Sequence, residues 1–246
     1  MFRTLITRLK AWETRLRSSF GNDISTPAGR RAAHLHFQLM DHAFFRIWWT
    51  NLAEIAPGVW RSNQPSPKRV ARYKAMGIKS ILFLRGFRTN SFQVLEEDAC
   101  NTHNIAFLKT ELAARKAPKR EMLLQLLDIF ETIERPFLMH CKSGADRAGL
   151  ASALYLMHIE GRSVEEASEQ LHVRYLHVKN SRTGVLDHFL DTYAEDTRET
   201  PMPIREWIAT KYDRQALQAS FADLHGKPEW AKLSSGKNRA YRDPNG

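Results

Sequence analysis

Cysteine is scarce in this 246-residue chain, which holds two, Cys100 and Cys141. Two thiols make no disulfide framework and suit a reducing compartment. Long apolar runs are missing too. None approaches the roughly 20 residues that a membrane-spanning helix needs. The N-terminus lacks the unbroken apolar stretch and small-residue cleavage site of a secretory signal. Repeats and low-complexity segments are absent, which excludes the stacked-repeat architectures. Acids are in short supply: 27 Asp and Glu stand against 37 Lys and Arg, for a net charge of +10 and a pI near 9.8. Such an imbalance implies an anionic partner: nucleic acid, an acidic membrane surface or a polyphosphorylated substrate. Zinc-finger spacing, an RNA-recognition signature and alternating basic and aromatic strand residues are all missing, so a nucleic-acid partner is not expected. His34, His36 and His42 could suggest a metal site, but His34 and His36 do not share a helix face and no nearby acid or cysteine completes a ligand set. No metal and no other cofactor is expected.

What is present is one informative stretch, Pro136-Phe-Leu-Met-His-Cys-Lys-Ser-Gly-Ala-Asp-Arg-Ala-Gly149. An apolar run leads into His140-Cys141, a short Gly-containing loop follows, and an apolar helical pattern opens at Leu150. This reads as buried strand, tight loop and helix. Consecutive N–H groups of such a loop point inward at a helix N-terminus and cradle a tetrahedral oxyanion. Their field favours the thiolate of Cys141. Arg147 can clamp two phosphate oxygens with its planar fork. A nucleophile beneath a phosphorus and donors around it are the parts of phosphoryl transfer through a phosphocysteine. Cys100, in a helical pattern, reads as a small core residue.

The stretch resembles the His-Cys-x5-Arg signature of the cysteine-dependent protein tyrosine and dual-specificity phosphatase superfamily, with Gly144 at its centre. The resemblance covers residues 55–195. Trp60-Arg61-Ser62-Asn63-Gln64-Pro65 and the strand ending in Leu84-Arg85-Gly86 look like the early strands of compact bacterial and atypical dual-specificity members. It implies a phosphoric monoester hydrolase with Cys141 as nucleophile, Arg147 as phosphate clamp and Lys142, Ser143, Gly144, Ala145 and Arg85 around the substrate. His140 would order the loop. The general acid is the departure. Relatives carry an Asp on the loop before the signature, and here Thr110 to Pro118 has none; Ala114 falls at the usual acid position. Asp146, next to Arg147, is the expected acid, as in myotubularin and Sac-type phosphoinositide phosphatases, with Glu111 as the alternative. Ala148 replaces the usual Ser or Thr, so Ser143 must help the departing thiolate or hydrolysis of the intermediate slows.

Along the rest of the chain, strands and helices alternate from residue 59 to 195. The fold expected is α/β: a mostly parallel central sheet flanked by helices, dual-specificity phosphatase-like, with extra N- and C-terminal helices. Three segments follow: a helical extension over 1–52, the phosphatase domain over 53–198, and a helix with a disordered basic tail over 199–246. Residues 2–20 are amphipathic and basic, with Trp12 and Phe20 on the apolar side, and suit either an anionic membrane surface or packing on the chain's own domain with a solvated charged face. Residues 31–52 read as one aromatic-rich helix, 163–174 as another and 204–224 as a single last helix.

The expected substrate is a phosphorylated protein or a phosphorylated lipid. Lys142, Arg85, Arg88, Arg115, Lys116, Lys119 and Arg120 would make a basic pocket that favours a phosphoinositide or similar lipid. The expected place is the cytoplasm, at the inner membrane surface. A phosphotyrosine phosphatase without a lipid role, and a phosphate-binding pseudophosphatase, are the alternatives.

Overall fold

A computed structural model describes residues 20–224 of the chain. The basic helix expected over 2–20, Phe20 apart, and the polar tail from residue 225 lie outside the described residues. The described residues form one five-stranded sheet in the order β1-β2-β5-β3-β4. Strand β1 (Ala53–Ala56) runs antiparallel to β2 (Val59–Asn63), and β2, β5 (Phe137–Cys141), β3 (Ser80–Phe83) and β4 (Ala106–Lys109) are parallel. This is the α/β architecture read from the sequence, with β1 as an edge strand the reading did not include.

β5 is central, and all five of its residues are buried. A strand covered by helices on both faces must be apolar throughout, and Phe137-Leu138-Met139 meets that need. Helices α2 (Pro67–Ala75) and α3 (Ser91–Thr102) belong to the side where Val70, Tyr73, Ile78, Ile81, Cys100 and Leu138 cluster. Cys100 is thus a core residue, and burial pushes its thiol far up. The larger cluster joins α4 (Arg120–Thr132), α5 (Asp146–His158), α7 (Val185–Asp196) and α8 (Ile204–Thr210), with α6 (Val164–Ser168) at its edge. There Phe130, Phe137 and Tyr155 meet edge to face, as do Phe189, Trp207 and Tyr212. Each such ring contributes about 1.5–3 kcal/mol by leaving water.

Three helical expectations are corrected. Residues 31–52 are not one helix. α1 spans Pro27–Leu39, started by Pro27 and by the Thr26 hydroxyl, which accepts from Gly29 N at 3.0 Å. It stops because Asp41 turns inward and His42 adopts φ +56; a 3-10 turn at Ala43–Arg46 follows. Over 163–174 the α-helix covers only Val164–Ser168, and a 3-10 turn occupies Val173–Tyr175. The last helical stretch divides into α8 and α9 (Arg214–Leu224), because the Asp213 carboxylate caps Gln215 N and Ala216 N and restarts the helix. α1 packs on α3 through an Arg30–Asp98 ion pair and a 2.7 Å contact of His36 Nδ1 with Ser91 Oγ. That docking sets residues 41–49 beside the end of β5.

Candidate active site

β5 ends at Cys141 and α5 begins at Asp146, so the loop between them sits at the carboxyl edge of the parallel strands, where open sheets bind ligands. Its carbonyls are held from outside, one after another. Cys141 O lies 3.3 Å from His140 Nδ1, and Lys142 O accepts from Gln64 N at 3.3 Å. Asn51 Nδ2 donates to Ser143 O at 3.2 Å. One Arg61 nitrogen donates to Gly144 O at 2.6 Å and Ala145 O at 3.1 Å. In a planar trans peptide the next N–H points opposite its carbonyl. The N–H groups of 142–146 therefore turn to the inside of the loop, around the space above Cys141. Gly144 is needed at the bend: its φ is +73, and a Cβ there would stand 2.8 Å from Asn63 N and from Ser62 C and O.

Arg61 is the residue that sequence reasoning passed over. It is fully buried, and burial pushes its guanidinium down to about 10, still charged at neutral pH. No carboxylate pairs with it. It also donates to Gln170 O and Oε1 at 2.7 and 2.9 Å and stacks on the Tyr175 ring at 3.8 Å. Its hydrogen bonds are made to oxygen dipoles, so its positive charge remains directed at the loop.

A cavity of about 380 Å³ opens over the loop. Lys142, Ser143, Asp146 and Arg147 line it from the loop, Ala114 and Arg115 from the preceding loop, and Asp41, Phe45, Arg46 and Trp49 from the N-terminal segment. Of the expected site residues, Cys141 is buried at the end of β5 and does not itself line the cavity, while Arg147, Asp146, Lys142 and Ser143 reach the cavity wall. Gly144 and Ala145 are buried in the cradle. Arg85 is drawn away from it. Its two terminal nitrogens donate to Asp41 at 2.7 and 3.1 Å and one also to Gln64 Oε1 at 2.8 Å, while its plane lies 3.4 Å over Phe92. Glu111 is exposed, does not line the cavity, and forms a β-bridge with Arg85. His140 is buried against Phe83, with Nε2 2.7 Å from Glu96 Oε1 though off the line of a regular hydrogen bond.

Two carboxylates, Asp41 and Asp146, reach the cavity. Burial would raise Asp41, but the charges of Arg85, Arg46 and Lys142 hold it at about 2. It is a fixed anion and cannot serve as an acid at neutral pH. Asp146 Oδ1 lies 2.8 Å from His177 Nδ1, and His177 Nε2 lies 2.7 Å from Asp187 Oδ2. Burial lowers His177, yet hydrogen bonds to Asp146 and Asp187 prevail and push it up to about 9. An imidazolium thus stands directly behind Asp146. Among the described residues no group of three or more His, Cys, Asp or Glu is placed to hold a metal ion.

The family model described as "DSP-PTPase phosphatase fused to NAD+ Kinase" matches residues 48–185, more than half of the chain. The chain belongs to this phosphatase family. It is a cysteine-dependent phosphoric monoester hydrolase of the dual-specificity and tyrosine phosphatase type. An inositol diphosphatase, DSP2, from Oryza sativa subsp. japonica is 24% identical over 127 residues, 50% of this chain and 62% of that protein. The chain therefore spans less than two thirds of that relative. Among solved structures, TpbA of P. aeruginosa covers 70% of this phosphatase and 91% of its own chain at 20% identity and a TM-score of 0.47. The catalytic core of the PP-IP phosphatase SIW14 from S. cerevisiae covers 62% and 95% at 16% identity and a TM-score of 0.46.

Proposed function

We propose that this phosphatase hydrolyses a phosphomonoester presented at an anionic membrane surface, through a phosphocysteine on Cys141. Sγ attacks phosphorus in line as the bond to the leaving oxygen breaks, while Arg147 and the inward amides hold the phosphoryl oxygens. Asp146 passes the proton held at His177 Nδ1 to the leaving oxygen, which leaves His177 neutral and Asp146 ionised, ready to return the next proton to it. Water then attacks phosphorus, Asp146 takes its proton, and the P–S bond breaks to free phosphate and thiolate.

The observation that carries the membrane reading is the rim of the cavity. Phe45 and Trp49 line it, and Phe44, Phe45, Ile47 and Trp48 beside it are exposed, Trp48 to 92%. A contiguous exposed apolar patch marks a contact surface. Exposed Arg115 and Lys116 sit on the preceding loop, and aromatic side chains beside cations are what a bilayer interface attracts. The basic amphipathic pattern of residues 2–20 and the inositol diphosphatase relative support a highly charged substrate at such a surface. Both cysteines are unpaired, which suits the cytoplasmic side. Among the described residues no helix is long and apolar enough to cross a membrane, so contact would be peripheral.

Phosphate release from phospholipid monoesters in vesicles and from phosphotyrosine and phosphoserine peptides tests this reading. Vesicle substrate is expected to be preferred, and Trp48→Ser to lower that activity roughly tenfold by losing one large inserted side chain, with a soluble aryl phosphate unaffected. Preference for peptides with Trp48→Ser neutral would make this a protein phosphatase. Silence on both with phosphate binding intact would make it a pseudophosphatase.

The acid assignment has its own test. Asp146→Asn is expected to slow alkyl phosphates on the order of 10²–10³-fold, and an activated aryl phosphate, whose leaving group needs less protonation, far less. His177→Gln should show the same leaving-group split. His177 is raised above its unfolded value of about 6.5, so its bridge is complete below that pH and lost as pH rises through about 9. Turnover of alkyl phosphates should fall over the same upper limb. Equal losses on both substrate types, with no change in the pH profile, would leave Asp146 and His177 only structural roles.

A further inference from the structure

A second cavity, of about 390 Å³, lies between the N-terminal segment and the start of α2. No residue from 141 to 147 lines it. Arg46, Lys68, Arg69, Arg72 and His34 do, and no carboxylate does. Lys68 and Arg72 are exposed at its mouth. Arg46 and Arg69 form its interior, 7% and 9% exposed.

The charges there do not balance. Arg69 donates to Asn63 Oδ1 and to the Tyr73 hydroxyl, both at 2.5 Å, and these are neutral acceptors. Arg46 does pair with Asp41, at 2.5 Å, but Asp41 is shared with Arg85 and Lys142. Three cations, Arg46, Arg85 and Lys142, thus share one carboxylate, and Arg69 adds its charge near Arg46. Burial, with Arg85 and Arg69 nearby, lowers the basicity of Arg46 even with Asp41 in contact. The Nε of Arg46 is buried without a hydrogen-bond partner. A buried donor on a charged group left unmade is costly, and Arg46 borders both this cavity and the catalytic one. The missing component is an anion that offers several oxygens to guanidinium forks, which is what a phosphate does.

We propose that this cavity is a second phosphate site, separate from the Cys141 loop, taking the phosphate group of a neighbouring lipid headgroup or of a soluble phosphate compound. The proposal does not depend on the catalytic assignment or on the membrane reading.

The test is equilibrium dialysis of the full chain against labelled inorganic phosphate. Cys141→Ser protein is used so that nothing is turned over. Two equivalents are expected. With Lys68→Glu and Arg72→Glu added, one should remain. Both positions are exposed, and an unchanged circular dichroism spectrum and melting temperature would show the fold intact. With Arg147→Met in their place, the equivalent lost should be the loop's, and the one abolished by Lys68→Glu/Arg72→Glu should persist. One equivalent in the starting protein, or two surviving Lys68→Glu/Arg72→Glu, would overturn the second site. Failure of Arg147→Met to remove an equivalent would count against the catalytic reading alone. Flotation with vesicles of phosphatidic acid and phosphatidylcholine then distinguishes the sources. At least a tenfold loss of vesicle binding in the double variant assigns the site to a lipid headgroup. Unchanged vesicle binding with the dialysis equivalent lost assigns it to a soluble phosphate.

Discussion

Cys141→Ser is expected to lower turnover of every phosphomonoester by on the order of 10⁴-fold or more while leaving oxyanion binding within a few-fold of the parent. The two halves of this expectation rest on different atoms. Binding is the work of the cradle, and the groups that hold its carbonyls, His140, Gln64, Asn51 and Arg61, do not include the thiol. Attack depends on Sγ alone. A serine hydroxyl at the same place stays protonated at neutral pH. His177, which could be imagined as a base, is already a cation held between Asp146 and Asp187 and sits behind Asp146. A thiolate needs no base at the moment of attack; an alcohol does. Phosphate release under single-turnover conditions, paired with titration by labelled phosphate, reads both halves. Full activity in the serine variant would end the phosphocysteine mechanism, and loss of binding along with turnover would mean that the thiol also holds the loop together.

The legible parts of this protein were those written contiguously. The apolar run 137–139, His140-Cys141, the Gly144 bend and the Leu150 helix follow one another within a few residues, so strand, loop and helix could be placed from periodicity and glycine alone. Alternation of strands and helices fixed the α/β class in the same way. What stayed hidden are partnerships across the sheet. Asp41 meets Arg85 44 positions away, Arg61 meets Gly144 at 83, and His177 meets Asp146 at 31. No local pattern carries such pairs. Arg61 carries no such signal in the sequence, because one charged residue in a short strand is ordinarily a solvent-facing one. The helix over 31–52 was overextended because aromatics continue past residue 40 and satisfy the helical period. Hydrophobic period cannot register that Asp41 leaves the helix to neutralise a guanidinium. Asp213 is different: an Asp two residues before Gln215 was a readable cap, and it was passed over inside an apolar pattern.

Arg61→Met should be the most damaging change at a residue that does not reach the active-site cavity. The thioether has similar length and tolerates burial, so the packing volume is largely kept. What it removes are donors. Gly144 O, Ala145 O, Gln170 O and Gln170 Oε1 all accept from this one guanidinium. The Gly144 and Ala145 carbonyls lie inside the fold, and Ala145 O keeps only the helical Gly149 N as a donor. Leaving buried acceptors unmade costs about 1–3 kcal/mol each, and the net loss should be about 3–5 kcal/mol, as for breaking a buried charged contact. For a chain of this size that corresponds to roughly 10 °C in melting temperature. The functional loss should exceed what instability alone produces. Once Gly144 O and Ala145 O are free to seek other donors, their peptide planes can rotate, and the N–H groups of Ala145 and Asp146 leave the cradle. Each misdirected oxyanion donor is worth about 10²-fold or more, so kcat/KM should fall by on the order of 10³-fold at temperatures where the variant is still folded. Arg61→Lys should not rescue it, because an ammonium is a point charge and cannot bridge the loop and Gln170 with a planar fork while stacking on Tyr175. The check is kcat/KM for a soluble aryl phosphate and phosphate affinity, both measured well below each variant's melting temperature. A variant that melts lower yet binds phosphate and turns over normally would reduce Arg61 to a core residue. Retained stability with lost affinity would show that its whole contribution is to aim the loop.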